Sequence, residues 1–153
     1  MPIPQLDPMG CAVACAAFLV RERDESPRDA YKRASHAFTN FEARRLKRGF
    51  PHRMVVAALR RLGVTILHEE RLSPWPEAAL RGRSATRIIR VRRYPTDPCL
   101  HYVVKIGDRY VVPMDRLVDA SEKDRELEAP QKHGKTRAWP DAWIPLGFIE
   151  VGI

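Results

Sequence analysis

No run of apolar residues in the 153-residue chain approaches the roughly 20 needed to cross a bilayer as a helix. The longest, from Cys11 to Val20, is half that length. It follows an acidic, proline-containing start with no basic segment, so it makes a poor signal peptide, and cytoplasmic residence is the default expectation. Cysteine is scarce: Cys11, Cys15 and Cys99 are an odd set that cannot all pair within one chain, which argues for reduced thiols. Metal-ligand spacing is also lacking. Cys11 and Cys15 share a helix face, but no third or fourth ligand stands at a suitable distance in sequence, so neither metal nor cofactor is expected. Neither an internal repeat nor a linker divides the chain, and residues 1–153 read as one domain.

The composition is that of a soluble globular protein, with 44% hydrophobic and 30% charged residues. The net charge of +8 favours acidic partners. The basic residues are dispersed (Arg44, Arg45, Lys47 and Arg48; Arg60 and Arg61; Arg81, Arg83 and Arg87; Arg90, Arg92 and Arg93), as on a solvated face, so charge alone is weak grounds for nucleic-acid binding.

The first 63 residues read as helical. Asp7-Pro8 supplies a cap and a first-turn proline ahead of a helix through Val20. Ser26-Pro27-Arg28-Asp29 resembles a capping box opening a helix to about Ser35. Asn40 caps a third helix that Gly49 ends. Pro51 to Leu62 forms a fourth, with Met54, Val55, Ala58, Leu59 and Leu62 on one stripe and Gly63 as its stop. The pattern then turns to strands: Val64–His68, Thr86–Val91, a hairpin of His101–Ile106 and Arg109–Val112 around Gly107-Asp108, and Ile144–Ile153. Ser73-Pro74-Trp75-Pro76 reads as a helical turn and Ser121–Trp139 as a charged loop. Helices followed by an antiparallel sheet make an α+β chain.

Cys11 carries the chemical interest. A cysteine in the first turn of a helix meets unsatisfied N–H groups and the positive dipole end, which favour the nucleophilic thiolate. Gln5 stands where a side-chain amide can join a backbone N–H in an oxyanion hole. The competing reading is that Cys11 is a small buried hydrophobe. Among His36, His52, His68, His101 and His133, the base expected is His101, which opens a strand at a sheet end where a cleft can form. Asp115 is the natural orienting acid, with Asp119 as fallback. Register decides this. A strict two-residue turn at Gly107-Asp108 puts His101 opposite Met114, whereas a bulge or a distortion at Pro113 brings Asp115 opposite His101. The triad therefore predicts an irregular hairpin. Cys99 is the less suitable nucleophile, and Trp75, Trp139 and Trp143 suit core packing or a groove.

These features resemble the C39 peptidases, papain-like domains that trim double-glycine leader peptides from bacteriocin precursors. Gln5, Cys11 and Cys15, with Ala14-Cys15-Ala16, match the family's glutamine–cysteine–cysteine spacing, and His101-Tyr102-Val103-Val104 matches its histidine-led strand. The match covers residues 3–20 and 86–116. Ala12 stands where the family has glycine, and Pro113 precedes Asp115 instead of following it. The resemblance implies a papain-like fold, a nucleophile at Cys11, a base at His101, an orienting acid at Asp115, an oxyanion donor at Gln5, and a peptide substrate with small residues before the cut. Two alternatives remain open: acyl transfer by the same residues, and a catalytically silent module binding peptide or nucleic acid.

Overall fold

The structure is a computed structural model that describes residues 3, 5–70, 86–92, 100–107, 109–111, 136–137 and 144–152. The expectations for Ser73–Pro76, Cys99, His133, Asp115, Asp119 and the three tryptophans lie outside the described residues. The helical half comes first, with α1 Cys11–Val20, α2 Pro27–Ser35, α3 Phe41–Arg44 and α4 His52–Arg61. Strands follow as β1 Thr65–Glu70, β2 Thr86–Arg92, β3 Leu100–Ile106, β4 Arg109–Val111, β5 Thr136–Arg137 and β6 Ile144–Gly152. The α+β expectation is met. One six-stranded antiparallel sheet runs in the order β1-β6-β2-β3-β4-β5.

Three local expectations change. Asp7 does not cap α1: the N-cap is Gly10, and Asp7 instead accepts hydrogen bonds from Tyr31 and Arg45. The third helix is a single turn, because Asn40 adopts a left-handed backbone (φ 56°) without a side-chain cap and residues 45–48 continue only as turns. Thr136 and Arg137, expected in a loop, pair with Val111 and Tyr110 as an edge strand.

The core lies between the helices and one sheet face. α1 is buried along Cys11–Ala17, and its small residues let α2 approach through Ala30 and Ala34. Leu59 and Val55 of α4 join Ile88, Tyr102, Val104, Ile149 and Val151 from the sheet in the same cluster. In β2 and β3 the even-numbered positions 88, 102 and 104 face the helices, whereas Ile89, Val91 and Val103 are buried on the other side.

The α1–α2 corner is fastened by charge. Arg33 donates from Nε and Nη2 to the Glu25 carboxylate at 2.8 and 2.7 Å, and from Nη2 to the Val20 carbonyl at the end of α1. Arg33 holds the Glu25 carboxyl at about 2, well below its ordinary value. A depressed carboxyl pKa contributes stability above the unfolded value, about 4.3, that is lost as pH falls through the folded value. Urea titrations of the wild type and Glu25→Gln should therefore differ by a constant amount from pH 5 to 8. The difference should shrink between pH ~4.5 and ~2. Because Arg33 is 39% exposed, the plateau is expected at about 1 kcal/mol or less.

Candidate active site

The site grows from the short loop that delivers α1. Gln5 and Asp7 are buried there, and their contacts set its course. The Asp7 carboxylate accepts Tyr31 Oη at 2.8 Å and Arg45 Nη1 at 2.8 Å, tying the loop to α2 and to the residues after α3. The Asp7 carbonyl accepts Gly10 N–H, and Met9 N–H donates to the Arg45 carbonyl. Gly10 passes so close to α2 that a Cβ would fall 2.0 Å from Tyr31 Oη. Burial, reinforced by the hydrogen bond to Asp7, pushes the Tyr31 phenol far above its ordinary range, so it stays a donor.

Cys11 follows as the first residue of α1. The glycine cap offers no side chain and the first turn holds no acid, so no side chain caps this N-terminus. The Gly10 carbonyl takes the Ala14 N–H, while the N–H groups of the first turn stand at the dipole's positive end. Cys11 is 8% exposed and opens into a cleft of about 310 Å³. Its walls include Arg44 at the end of α3, Lys47 and Arg48 from the loop that follows, Arg90 of β2 and Tyr102 of β3. Gly49, left-handed at φ 65°, and the bond from Arg44 Nε to the Gly49 carbonyl at 2.7 Å turn that loop toward Cys11. Tyr102 Oη donates to the Phe50 carbonyl at 2.8 Å, closing the cleft between sheet and loop.

The electrostatics separate the two cysteines of α1. Burial, and then the charge of Cys11, raise the Cys15 thiol well above its ordinary value. Cys15 is 1% exposed and stays protonated. Helix terminus and cationic walls both favour the thiolate at Cys11. Burial also raises Tyr102, an effect that the nearby Arg90 opposes. Ala12, which stands where the C39 peptidases have glycine, is 1% exposed and packs in the core, outside the cleft lining.

Two expected site residues stand elsewhere than expected. Gln5 Nε2 donates to the carbonyls of Asp7 and Pro8 at 3.0 and 2.9 Å, so both amide hydrogens serve the loop and neither is left for an oxyanion. Buried inward-facing carbonyls demand donors, and Gln5 is the one at hand. In β3 the helix-facing residue beside Cys11 is Tyr102, not His101. Pairing of β2 with β3 runs without a bulge from Thr86↔Ile106 to Arg92↔Leu100, so alternation turns half-buried His101 to the face of Val103 and Lys105. His101 is absent from the lining of this cleft. The hairpin expected to be irregular is regular where described: Ile106↔Arg109, Lys105↔Tyr110 and Val104↔Val111. Met114 and Asp115 lie outside the described residues.

The cleft walls were not singled out from sequence. Arg44, Lys47, Arg48 and Arg90 read there as parts of a solvated surface; the available signal was the even parity of Arg90 and Tyr102 in their strands. The Asp7–Tyr31–Arg45 clamp joins three distant segments and left no local trace. His36 is exposed. His52, on the first turn of α4, is buried against Glu69 of β1, with Nε2 and Oε2 2.7 Å apart. Among the described residues no group of three histidine, cysteine or acidic side chains is arranged to hold a metal ion. No described helix is long and apolar enough to cross a membrane. No protein-family model, curated protein or solved structure matches the chain.

Proposed function

We propose that this chain is a cysteine peptidase of papain-like type, resembling the C39 leader peptidases, in which Cys11 attacks a peptide carbonyl. The observation that carries the reading is a thiol in the first turn of α1, at a helix N-terminus without a side-chain cap, opening into a cleft lined by cations. The thiolate adds to the carbonyl carbon, and the backbone N–H of Cys11 receives the oxyanion in place of the Gln5 amide. The C–N bond then breaks, a proton passes to the leaving amine, and a thioester remains on Sγ. Water hydrolyses it and restores the thiol. The proposal gives the proton transfer to His101, one residue from Tyr102 near the start of β3. That role requires the imidazole to reach round the strand end to the cleft.

The parity of β3 and the engaged amide of Gln5 favour a second reading, a silent peptide-binding module on the same scaffold. A chromogenic N-acylglycine p-nitrophenyl ester separates the two. The peptidase reading expects a thioester adduct on Cys11 by mass spectrometry, followed by turnover that falls at least ~10²-fold in His101→Ala. An adduct that never turns over, at a rate indifferent to His101, supports the binding module.

A further inference from the structure

We infer that the Cys11 cleft selects an acidic peptide, holding a carboxylate beside the bond presented to Cys11; this deepens the peptidase reading and uses the same site. Four cationic side chains, Arg44, Lys47, Arg48 and Arg90, line one cleft that has no acidic residue among the described residues of its wall. Three other arginines, by contrast, are each held by a carboxylate. Arg33 is held by Glu25, Arg45 by Asp7 and Glu42, and Arg87 by Glu150. Among the described residues no carboxylate pairs with any of the four in the cleft.

Arg90 makes the case specific. It sits in a central strand, half-buried, with Nε withdrawn from solvent and lacking a hydrogen-bond partner among the described residues. The guanidinium hydrogen-bonds the Tyr102 side chain, and a carboxylate entering the cleft would pair with the N–H donors that remain. Arg44, half-buried and anchored through Nε to the Gly49 carbonyl, lines the same cleft. Exposed Lys47 and Arg48 extend the field to the rim, where such charges mainly steer encounter.

Shape decides between anionic partners. A concavity of about 310 Å³ is at the small end of ligand pockets and admits a side chain or two, whereas nucleic acid asks for an extended basic track. The charge here converges on a thiol, so an acidic peptide is the better occupant.

The test is fluorescence anisotropy on the Cys11→Ala chain, which binds without turning over. Labelled octapeptides of Gly, Ala, Ser and Leu carry one Glu scanned along their length, each matched by a Gln peptide. The Glu peptide should bind about tenfold tighter at one position, and the advantage should fade between ~0.05 and ~0.5 M salt. Arg90→Gln and the exposed-site pair Lys47→Gln/Arg48→Gln should each reduce it, while Arg28→Gln on the exposed face of α2 should not. Equal binding of Glu and Gln peptides at every position would overturn the inference, as would a preference indifferent to Arg90, Lys47 and Arg48. A labelled single-stranded oligonucleotide that binds more tightly than every peptide, and is weakened by the same substitutions, would overturn it in favour of nucleic acid. Loss of the Glu preference with Cys11-dependent turnover intact refutes this inference alone; a Glu preference in a chain without turnover refutes the peptidase reading alone.

Discussion

A Cys11→Ala chain should fold like the wild type and lose ester and peptide turnover by at least ~10³-fold. The loss is large because the replaced sulfur is the atom on which the thioester forms, and no neighbour can stand in for it. Cys15 lies one turn deeper in α1, 1% exposed, with its thiol kept protonated by burial and by the charge of Cys11. The fold should survive because Cys11 sits at the cleft edge of the core, where deleting one sulfur costs on the order of 1 kcal/mol. Thermal denaturation followed by circular dichroism checks the second half of the statement, and chromophore release from the ester checks the first. Turnover persisting at a tenth of the wild-type rate would move the chemistry to another residue.

Alanine at position 10 should do comparable damage from outside the reacting atoms. Its methyl would lie 2.0 Å from Tyr31 Oη, and 3.1 Å from both Tyr31 Cζ and the Asp7 carbonyl oxygen. The backbone of Gly10 (φ −93°, ψ 12°) is open to any residue, so the demand is for space and not for glycine's conformational freedom. Tyr31 must move, its bond to Asp7 breaks, and the loop that sets Cys11 at the cleft loses one of its two side-chain anchors. The expected cost is about 2–4 kcal/mol, or a fall in Tm of roughly 5–15 °C. Iodoacetamide should also label Cys11 more slowly at neutral pH. Tyr31→Phe alone should cost about 1–3 kcal/mol, by leaving a buried carboxylate short of a donor. With Tyr31→Phe already present, Gly10→Ala should cost less than it does alone, because the hydroxyl that the methyl strikes is gone. Strict additivity in this cycle would show that the Tyr31 hydroxyl is not what excludes a side chain at Gly10.

How far the sequence foretold this molecule depends on how local each feature is. Ser26 Oγ accepts the Asp29 N–H at 3.1 Å, as its capping pattern predicts, and the stripe of α4 buries Val55, Ala58 and Leu59 before Gly63 ends the helix at φ 83°. The pairing of β3 with β4 as a hairpin and the position of Cys11 at a helix start were equally legible. Each is decided within a few residues. The place of β6 was not legible: the last strand inserts between β1 and β2, a choice made by pairings across the whole chain. Nor was the parity of β3, on which the roles of His101 and Tyr102 turn. His101-Tyr102-Val103-Val104 carries an apolar or amphipathic body on both faces, and both faces of this sheet are buried, so alternation gave no sign of which side met the helices. Gln5 stood at the right spacing for an oxyanion donor, yet its amide is held by two carbonyls of its own loop, a demand that appears only once the loop is folded.

The central claim is that Cys11 is a thiolate nucleophile in a cationic cleft. Its most direct test is the rate of iodoacetamide alkylation against pH, with each modified cysteine located by mass spectrometry. The account predicts that Cys11 is labelled first and selectively, and that its rate levels off well below the ordinary thiol pKa of about 8.5 while Cys15 stays untouched. Labelling that is spread over Cys11, Cys15 and Cys99, or that climbs only as an ordinary thiol ionises, would contradict it.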